Sequence, residues 1–244
     1  MDREEYFDYN IHASKLVEYA VCPKRFLSTS RQLPPPKSPV SAWIGSCVHA
    51  RVAGKPEPQY PFEIQLDRIT PSKTIAIRQI GLIATAIEKF LHLKGLRITE
   101  WELNFDRMPV SEGSLYNTYL TGSADAKGSD PDNRSFLLDI KTGSNRVGLE
   151  TYMLQMGAYR ALDKYMTGDG VKELIILHAP RSEDILAPPP VSWYKSMNPK
   201  EAEEHALKLA REIGSGNRKM RAIPGTQCKN CEVVTCGLRI ERFY

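Results

Sequence analysis

The chain has 244 residues, enough for one large domain. Hydrophobic residues make up 41% and charged residues 25%, as in ordinary globular proteins, and a net charge of +4 is compatible with nucleic-acid binding without requiring it. No apolar run approaches the ~18 residues of a transmembrane helix, and the charged N-terminus lacks the apolar core of a secretory signal. We therefore expect a cytoplasmic protein with no membrane contact.

The first part of the chain predicts helices separated by proline-rich segments. Ser14 has a side chain suited to a helix N-cap, and the following pattern predicts a helix to about Phe26. Residues 31–42 are rich in proline and serine and predict a loop. A short apolar helix is predicted over residues 43–50, and the prolines of residues 54–71 predict an irregular surface segment.

The clearest helix signal begins at Ser72. Apolar residues recur at three- and four-residue intervals up to Gly95, which is typical of a helix that buries one face in a core. The period then changes to two over residues 101–105, which indicates a β-strand.

A β-hairpin is predicted over residues 119–141, with turn residues at 130–133. Because side chains alternate faces along a strand, Asp139 and Lys141 point the same way in the second strand, about 7 Å apart. In the first strand, Asp125 is free to converge with Asp139 across the hairpin.

This pair of strands predicts a cation site. Two converging carboxylates repel each other, and a cation between them removes that cost. Mg²⁺ or Mn²⁺ in octahedral oxygen coordination fits Asp125 and Asp139, and Lys141 would lie beside the bound water or phosphate. The alternative is a set of solvated charges on an exposed edge strand, but the combination on paired strands favours the metal site.

A helix from Tyr152 to about Met166 follows the hairpin. It carries Gln155 and Tyr159 four residues apart on one face, where they could orient a phosphate or the lysine, although Tyr159 also fits a core stripe. A buried strand, a short strand and a capped helix are predicted over residues 172–179, 191–194 and 198–214.

The five cysteines predict a metal centre rather than disulfides in a cytosolic chain. Cys228, Cys231 and Cys236 are spaced C-x2-C-x4-C, and Cys22, beside a proline far upstream, supplies a fourth thiolate. Structural zinc and an iron–sulfur cluster both take four thiolates. The single C-x-x-C pair and the remote fourth ligand favour the cluster, and Cys47 in an apolar segment is interpreted as a buried free thiol.

His49 follows Gly45 in the same apolar segment. A lone histidine in an apolar helix is more often a core residue than a metal ligand. As a ligand, its imidazole would favour Mn²⁺ over Mg²⁺.

Six motifs occur in a fixed order along the chain. They are Cys22-Pro, Gly45-x-x-x-His49, Gly122-x-x-Asp125, Asp139-x-Lys141-Thr-Gly, Gln155-x-x-x-Tyr159 and the C-terminal cysteine triplet. Together they resemble the RecB-like nucleases of the PD-(D/E)XK superfamily. More narrowly, they resemble the iron–sulfur exonucleases associated with CRISPR adaptation and their phage relatives.

The resemblance implies an α/β fold with a restriction-endonuclease-like core, a mixed central sheet flanked by helices. That core would cover residues 43–213 within a single domain of residues 1–244. Segments 14–30 and 217–244 would form a small iron–sulfur subdomain. Its implied ligands to a 4Fe–4S cluster, with structural Zn²⁺ as the alternative, are Cys22, Cys228, Cys231 and Cys236.

The resemblance also implies a DNA exonuclease that depends on Mn²⁺ or Mg²⁺. The implied metal ligands are His49, Asp125, Asp139 and the backbone carbonyl of Ile140. Lys141 would position or activate the attacking water and offset charge on the phosphate. Gln155 and Tyr159 would be accessory residues, and Glu102 a supporting acid.

The expected substrate is single-stranded DNA or DNA ends, in CRISPR adaptation or in phage and host recombination. Two alternatives are a mainly non-catalytic DNA-binding subunit of an integrase or recombination complex, and a structure-specific endonuclease on the same fold. Nothing in the sequence selects DNA over RNA. No Gly-rich Lys-Ser/Thr loop is present, so unwinding would require a helicase partner.

Overall fold

The computed structural model describes residues 7–23, 26, 39–60, 73–112, 116–143, 152–181, 187–196 and 198–215. The strands are β1 Phe7–His12, β2 Arg97–Glu112, β3 Tyr116–Ser129, β4 Ser135–Lys141, β5 Glu173–His178 and β6 Ser192–Lys195. The helices are α1 Ala13–Val21, α2 Pro39–Val52, α3 Lys73–Leu93, α4 Tyr152–Thr167 and α5 Pro199–Gly214. Among the helices in these ranges, none combines the length and the hydrophobicity of a membrane span.

The strands form one mixed six-stranded sheet built around β3. Strand β2 pairs antiparallel with β3 along nearly its whole length. On its other edge, β3 pairs first with parallel β1 over residues 116–121 and then with antiparallel β4 over residues 126–129. Strand β5 pairs parallel with β4, and β6 antiparallel with β5. Residues 122–125 of β3 therefore lie in a gap between the ends of β1 and β4.

Helices cover both faces of this sheet. Helices α1, α4 and α5 pack in one apolar cluster, to which β4 contributes Leu137. Helices α2 and α3 pack in a second cluster, to which β4 contributes Phe136 and Leu138. Since neighbouring residues of a strand face opposite sides, the two clusters lie on opposite faces. This arrangement confirms the predicted α/β class and is consistent with a restriction-endonuclease-like core.

Strand β4 is a central strand rather than an exposed edge. It lies between β3 and β5, and its residues from Phe136 to Ile140 are all buried. The alternative of solvated charges on an edge strand is therefore wrong for Asp139, which is 3% exposed. A carboxylate at this depth needs charged or hydrogen-bonding partners, because burial of an unpaired charge is very costly.

Helix α1 differs from its prediction at both ends. It begins at Ala13, and the N-cap is His12, whose Nδ1 accepts a hydrogen bond from the backbone N–H of Ser14. An imidazole nitrogen accepts there in place of the expected hydroxyl. The helix ends at Val21, ahead of the predicted Phe26, because the residue before a proline is disfavoured in the helical conformation and Pro23 follows Cys22.

Three other element predictions also change. Helix α2 begins at Pro39, so the predicted loop is wrong for residues 39–42; proline is well tolerated in a first helical turn. Strand β2 extends far beyond the predicted residues 101–105. The prediction missed the rest of the strand because register shifts interrupt the alternation of its side chains there. Strand β1 was not predicted. The loop predictions for residues 31–38 and 61–71 lie outside the described residues.

Helices α4 and α5 approach each other most closely at Gly157. A Cβ added there would lie 2.1 Å from the carbonyl oxygen of Ala202, a backbone atom that cannot move aside cheaply. We expect Gly157→Ala to destabilise the protein by about 2–3 kcal/mol, a cost that exceeds the helix-propensity gain of about 1 kcal/mol from replacing glycine. Urea unfolding measures the difference.

Gly143→Ala is the matched control for this substitution, because a Cβ added at Gly143 meets no described atom within 4 Å. Its free energy of unfolding should stay within about 0.5 kcal/mol of the wild-type value. Equal stability of the two variants would contradict the close helix contact.

Candidate active site

The site lies where β3 and β4 stop pairing. The last paired residues are Ala126 and Leu138, so the next pair along the ladder would be Asp125 and Asp139. The backbone N–H of Ile140 instead donates to Oδ2 of Asp125 at 2.6 Å. The Asp125 carboxylate thereby replaces a backbone carbonyl as the acceptor of this hydrogen bond, and it is held beside the end of β4.

His49, near the end of α2, contacts both strands. Its Nδ1 lies 3.1 Å from Oδ1 of Asp125, and its Nε2 lies 3.2 Å from the carbonyl oxygen of Ile140. Burial acts to lower the pKa of His49, but the hydrogen bond and negative charge of Asp125 outweigh it and raise that pKa. Both ring nitrogens face acceptors, so the protonated imidazole satisfies both contacts.

Asp139 and Lys141 form a second pair at the end of β4. Nζ of Lys141 lies 2.7 Å from Oδ2 of Asp139, yet this buried oxygen has no well-aligned hydrogen bond. Burial raises the pKa of Asp139 to about 6, against the opposing effect of the Lys141 charge. Burial acts to lower the pKa of Lys141, but the Asp139 charge outweighs it and raises that pKa.

Helix α4 supplies the predicted glutamine and tyrosine. Nε2 of Gln155 donates to the hydroxyl of Tyr159 and, in a long hydrogen bond of 3.5 Å, to Oδ1 of Asp139. The ring of Tyr159 packs on Gly122, where an added Cβ would lie 2.7 Å from Cε1 of the ring. This close approach explains the glycine of the Gly122-x-x-Asp125 motif.

Two supporting residues were missed from the sequence. The ring centroid of Tyr152 lies 4.6 Å from Nζ of Lys141, a cation–π contact. Tyr152 precedes Gln155 by three positions in α4, so helical spacing was a usable signal. The other is His178, whose Nε2 lies 2.9 Å from the carbonyl oxygen of Gly143, just beyond β4. Only the parallel pairing of β4 with β5 brings it there.

Within the described residues, Glu102 and Cys22 make none of the contacts given above for the site residues. The Glu102 carboxylate lies 2.5 Å from Nζ of Lys55 and is largely exposed. Cys22 is buried at the end of α1. The other three predicted cluster ligands, Cys228, Cys231 and Cys236, lie outside the described residues.

The donor types suit a hard divalent cation. Two carboxylates, an imidazole and a carbonyl oxygen meet at the end of β4, and Oδ2 of Asp139 is a buried acceptor with no well-aligned hydrogen bond. In the described part of the chain, no three His, Cys, Asp or Glu side chains already form a metal-binding group. The His49–Asp125 and Lys141–Asp139 pairs satisfy these charges instead.

The chain matches a known protein family over most of its length. A family model of the PD-(D/E)XK nuclease superfamily matches residues 11–236. The chain belongs to the PD-(D/E)XK nuclease superfamily. The match extends from the end of β1 across all the site residues described above and reaches Cys236. Nucleases of this superfamily typically use divalent cations such as Mg²⁺ or Mn²⁺.

Solved structures similar to this nuclease-superfamily chain have low sequence identity to it. SSO0001 is 16% identical with a TM-score of 0.47, covering 99% of this chain and 90% of that one. An alkaline exonuclease (LHK-Exo) from Laribacter hongkongensis is 13% identical with a TM-score of 0.35, covering 84% and 88%. LHK-Exo in complex with dAMP is 14% identical with a TM-score of 0.32, covering 83% and 90%. No curated protein matches the chain. The family assignment rests on the family-model match.

Proposed function

We propose that this protein is a divalent-metal-dependent deoxyribonuclease, an exonuclease that hydrolyses phosphodiester bonds in single-stranded DNA or at DNA ends. The observation that carries the proposal is the buried Asp139 carboxylate. It is paired with Lys141 and lies at the strand end that Asp125 and His49 also contact. Membership of the nuclease superfamily supports phosphodiester hydrolysis, and the order of the six motifs supports exonuclease action.

The proposed cation ligands are His49, Asp125, Asp139 and the carbonyl oxygen of Ile140. When bound, Mn²⁺ or Mg²⁺ supplies Lewis-acid polarisation of the phosphate and lowers the pKa of a bound water. His49 can ligate only as a neutral ring, so it must release the proton that its two acceptors favour.

The remaining residues act on the substrate or on Asp139. The Lys141 ammonium offsets the charge that develops on the phosphate and positions the attacking water. Gln155, itself bonded to Tyr159, holds Oδ1 of Asp139, while the Lys141 ammonium lies 2.7 Å from Oδ2. These buried contacts hold the groups in a fixed geometry before substrate binds, which lowers the cost of orienting them during the reaction.

A comparison of linear and circular substrates tests the activity. Purified protein is incubated with labelled linear single-stranded DNA, linear duplex and covalently closed single-stranded circles, with Mn²⁺, with Mg²⁺ or with a chelator. We expect degradation of linear DNA only, and only with added cation. Equal cleavage of circles would favour the endonuclease alternative.

Variants at two buried aspartates complete that test. Asp139→Ala should abolish cleavage, whereas Asp163→Ala removes a comparably buried carboxylate that pairs with Lys127 instead of a proposed site residue. DNA binding with no turnover under any cation would favour the non-catalytic subunit.

The proposal extends to a 4Fe–4S cluster held by Cys22, Cys228, Cys231 and Cys236, with structural Zn²⁺ as the alternative. The cluster would join segments 14–30 and 217–244 to a nuclease core at 43–213. Burial raises the pKa of the Cys47 thiol to about 11, so Cys47 stays protonated at neutral pH and is a poor ligand.

We expect anaerobically purified protein to show the broad visible absorbance of an iron–sulfur protein. Cys22→Ala should remove the absorbance and the bound iron, because a cluster of this kind needs all four thiolates. Cys47→Ala is the control and should retain both. Colourless protein that contains zinc but no iron would contradict the cluster and support structural Zn²⁺.

A role in CRISPR adaptation or in phage and host recombination, with an integrase, recombinase or helicase partner, is the wider proposal. Co-purification with such a partner from the native host would test it.

A further inference from the structure

An exposed ion pair lies beside the candidate active site. Lys55 follows the C-terminal end of α2, and its Nζ lies 2.5 Å from Oε2 of Glu102 on β2. The two side chains are 44% and 47% exposed, so both reach solvent. Ion pairs this exposed contribute little to stability.

The pair lies level with the proposed cation ligands. In the β2–β3 ladder, Trp101 pairs with Ala126 and Leu103 with Ala124, which puts Glu102 opposite Asp125. Residues opposite each other on antiparallel strands have Cα atoms about 5 Å apart.

The same helix end reaches both strands at this level. His49 contacts Asp125 on β3, and Lys55, six positions further along the chain, contacts Glu102 on β2. Lys55 therefore presents a solvent-accessible ammonium at the rim of the site.

The backbone of Glu102 is in an unusual conformation. Its φ of 56° is left-handed, although it lies within a strand and is not a glycine. Among the described non-glycine residues, the other positive φ belongs to Asn133 in a turn, where such a conformation is common. A strained residue within a strand persists only where its surroundings require it, and such residues cluster at functional sites.

We propose that Lys55 is a substrate-binding residue whose ammonium contacts a DNA phosphate flanking the scissile one. Glu102 holds that ammonium in place until the phosphate displaces the carboxylate. Both partners of Lys55 are anions, so the exchange leaves the lysine paired throughout. The inference rests on the proposed function, because it assigns a subsite to the same DNA-cleaving site.

The two members of the pair then have opposite effects on binding. Lys55→Met removes a phosphate contact and should raise the Kd for single-stranded DNA about 3- to 10-fold, with a weaker salt dependence: the slope of log K against log salt should shrink by about 0.7. Glu102→Gln removes the competing carboxylate and should lower the Kd about 2- to 5-fold, because the amide binds the ammonium less strongly.

Binding is measured by fluorescence anisotropy with a labelled single-stranded oligodeoxynucleotide, in chelator and across a salt series, so that no cleavage occurs. Lys55→Arg keeps the charge and should preserve the salt slope. Lys172→Met is the matched control, because Lys172 is also exposed and pairs with Asp169; it should change the Kd by less than about 2-fold. Thermal unfolding confirms that each variant is folded.

The directions in which the two substitutions change the Kd decide whether the proposal holds. Weaker binding by Lys55→Met together with tighter binding by Glu102→Gln supports the proposal. Weaker binding by both variants would show a structural clamp and overturn it, as would unchanged binding by Lys55→Met. If wild-type protein degrades linear DNA while Lys55→Met binds like wild type, only this subsite fails. If wild-type protein neither binds nor degrades DNA, the proposed function itself fails.

Discussion

Lys141→Met is expected to lower kcat for DNA cleavage by about 10²–10³-fold, the usual effect of removing one group that stabilises transition-state charge. The methionine fills the space of the lysine stem but carries no charge to offset the phosphate. KM should change little, because the loss falls on the transition state rather than on substrate binding. Steady-state kinetics on labelled single-stranded DNA with Mn²⁺ measures both constants.

Lys127→Met is a closely matched control for this prediction. Lys127 and Lys141 have side chains that are each 24% exposed, and each pairs with a buried aspartate, Asp163 and Asp139 respectively. Both variants leave a carboxylate buried without its cation, so both should lose similar stability. Only Lys141→Met should lose turnover. Equal loss of kcat in both would mean that folding, not chemistry, limits activity.

Asp139→Asn is expected to abolish cleavage and to remove a pH-dependent loss of stability from the metal-free protein. Burial raises the pKa of Asp139 from 3.8 to about 6, so between these values the folded state binds more protons than the unfolded state. The contribution of Asp139 to stability is therefore greatest below pH 3.8 and falls as pH rises through about 6. Asparagine cannot ionise and removes this loss, which is at most about 3 kcal/mol above pH 7.

Urea unfolding of both proteins in chelator across this pH range measures the effect. Subtracting the free energy of unfolding of the wild type from that of the variant cancels the effect of every titrating group that both proteins contain. It should favour the asparagine variant increasingly from pH 4 to pH 7 and then level off. A difference that does not change with pH would contradict the burial of an ionised Asp139.

The clearest local patterns predicted their elements well. Helix α3 follows its apolar stripe from beside Ser72 to the turn at Gly95, whose positive φ suits glycine. Helix α5 begins after Asn198, whose side chain accepts from the N–H of Glu201 as the capping pattern predicted. Such signals are legible because capping and helical period involve residues only three or four positions apart.

Long-range pairing limited the remaining predictions. Strand β1 pairs with residues of β3 that lie more than a hundred positions away, and its short sequence carries no comparable signal. The contact of His49 with Asp125 and Ile140 joins α2 to two later strands. Spacing could not predict that contact, which the sequence suggested only through resemblance to a family.

The types of the site residues and their local arrangement could be predicted from the sequence. Asp139 and Lys141 on one strand face, and Gln155 and Tyr159 on one helix face, follow from periods of two and 3.6 residues set by backbone geometry. Three features depend on the packing of distant segments: Asp139 is buried, Lys141 pairs with it beside Tyr152, and Asp125 occupies the gap where β3 and β4 part. Desolvation and charge pairing depend on which distant segments pack together, and no local spacing specifies that.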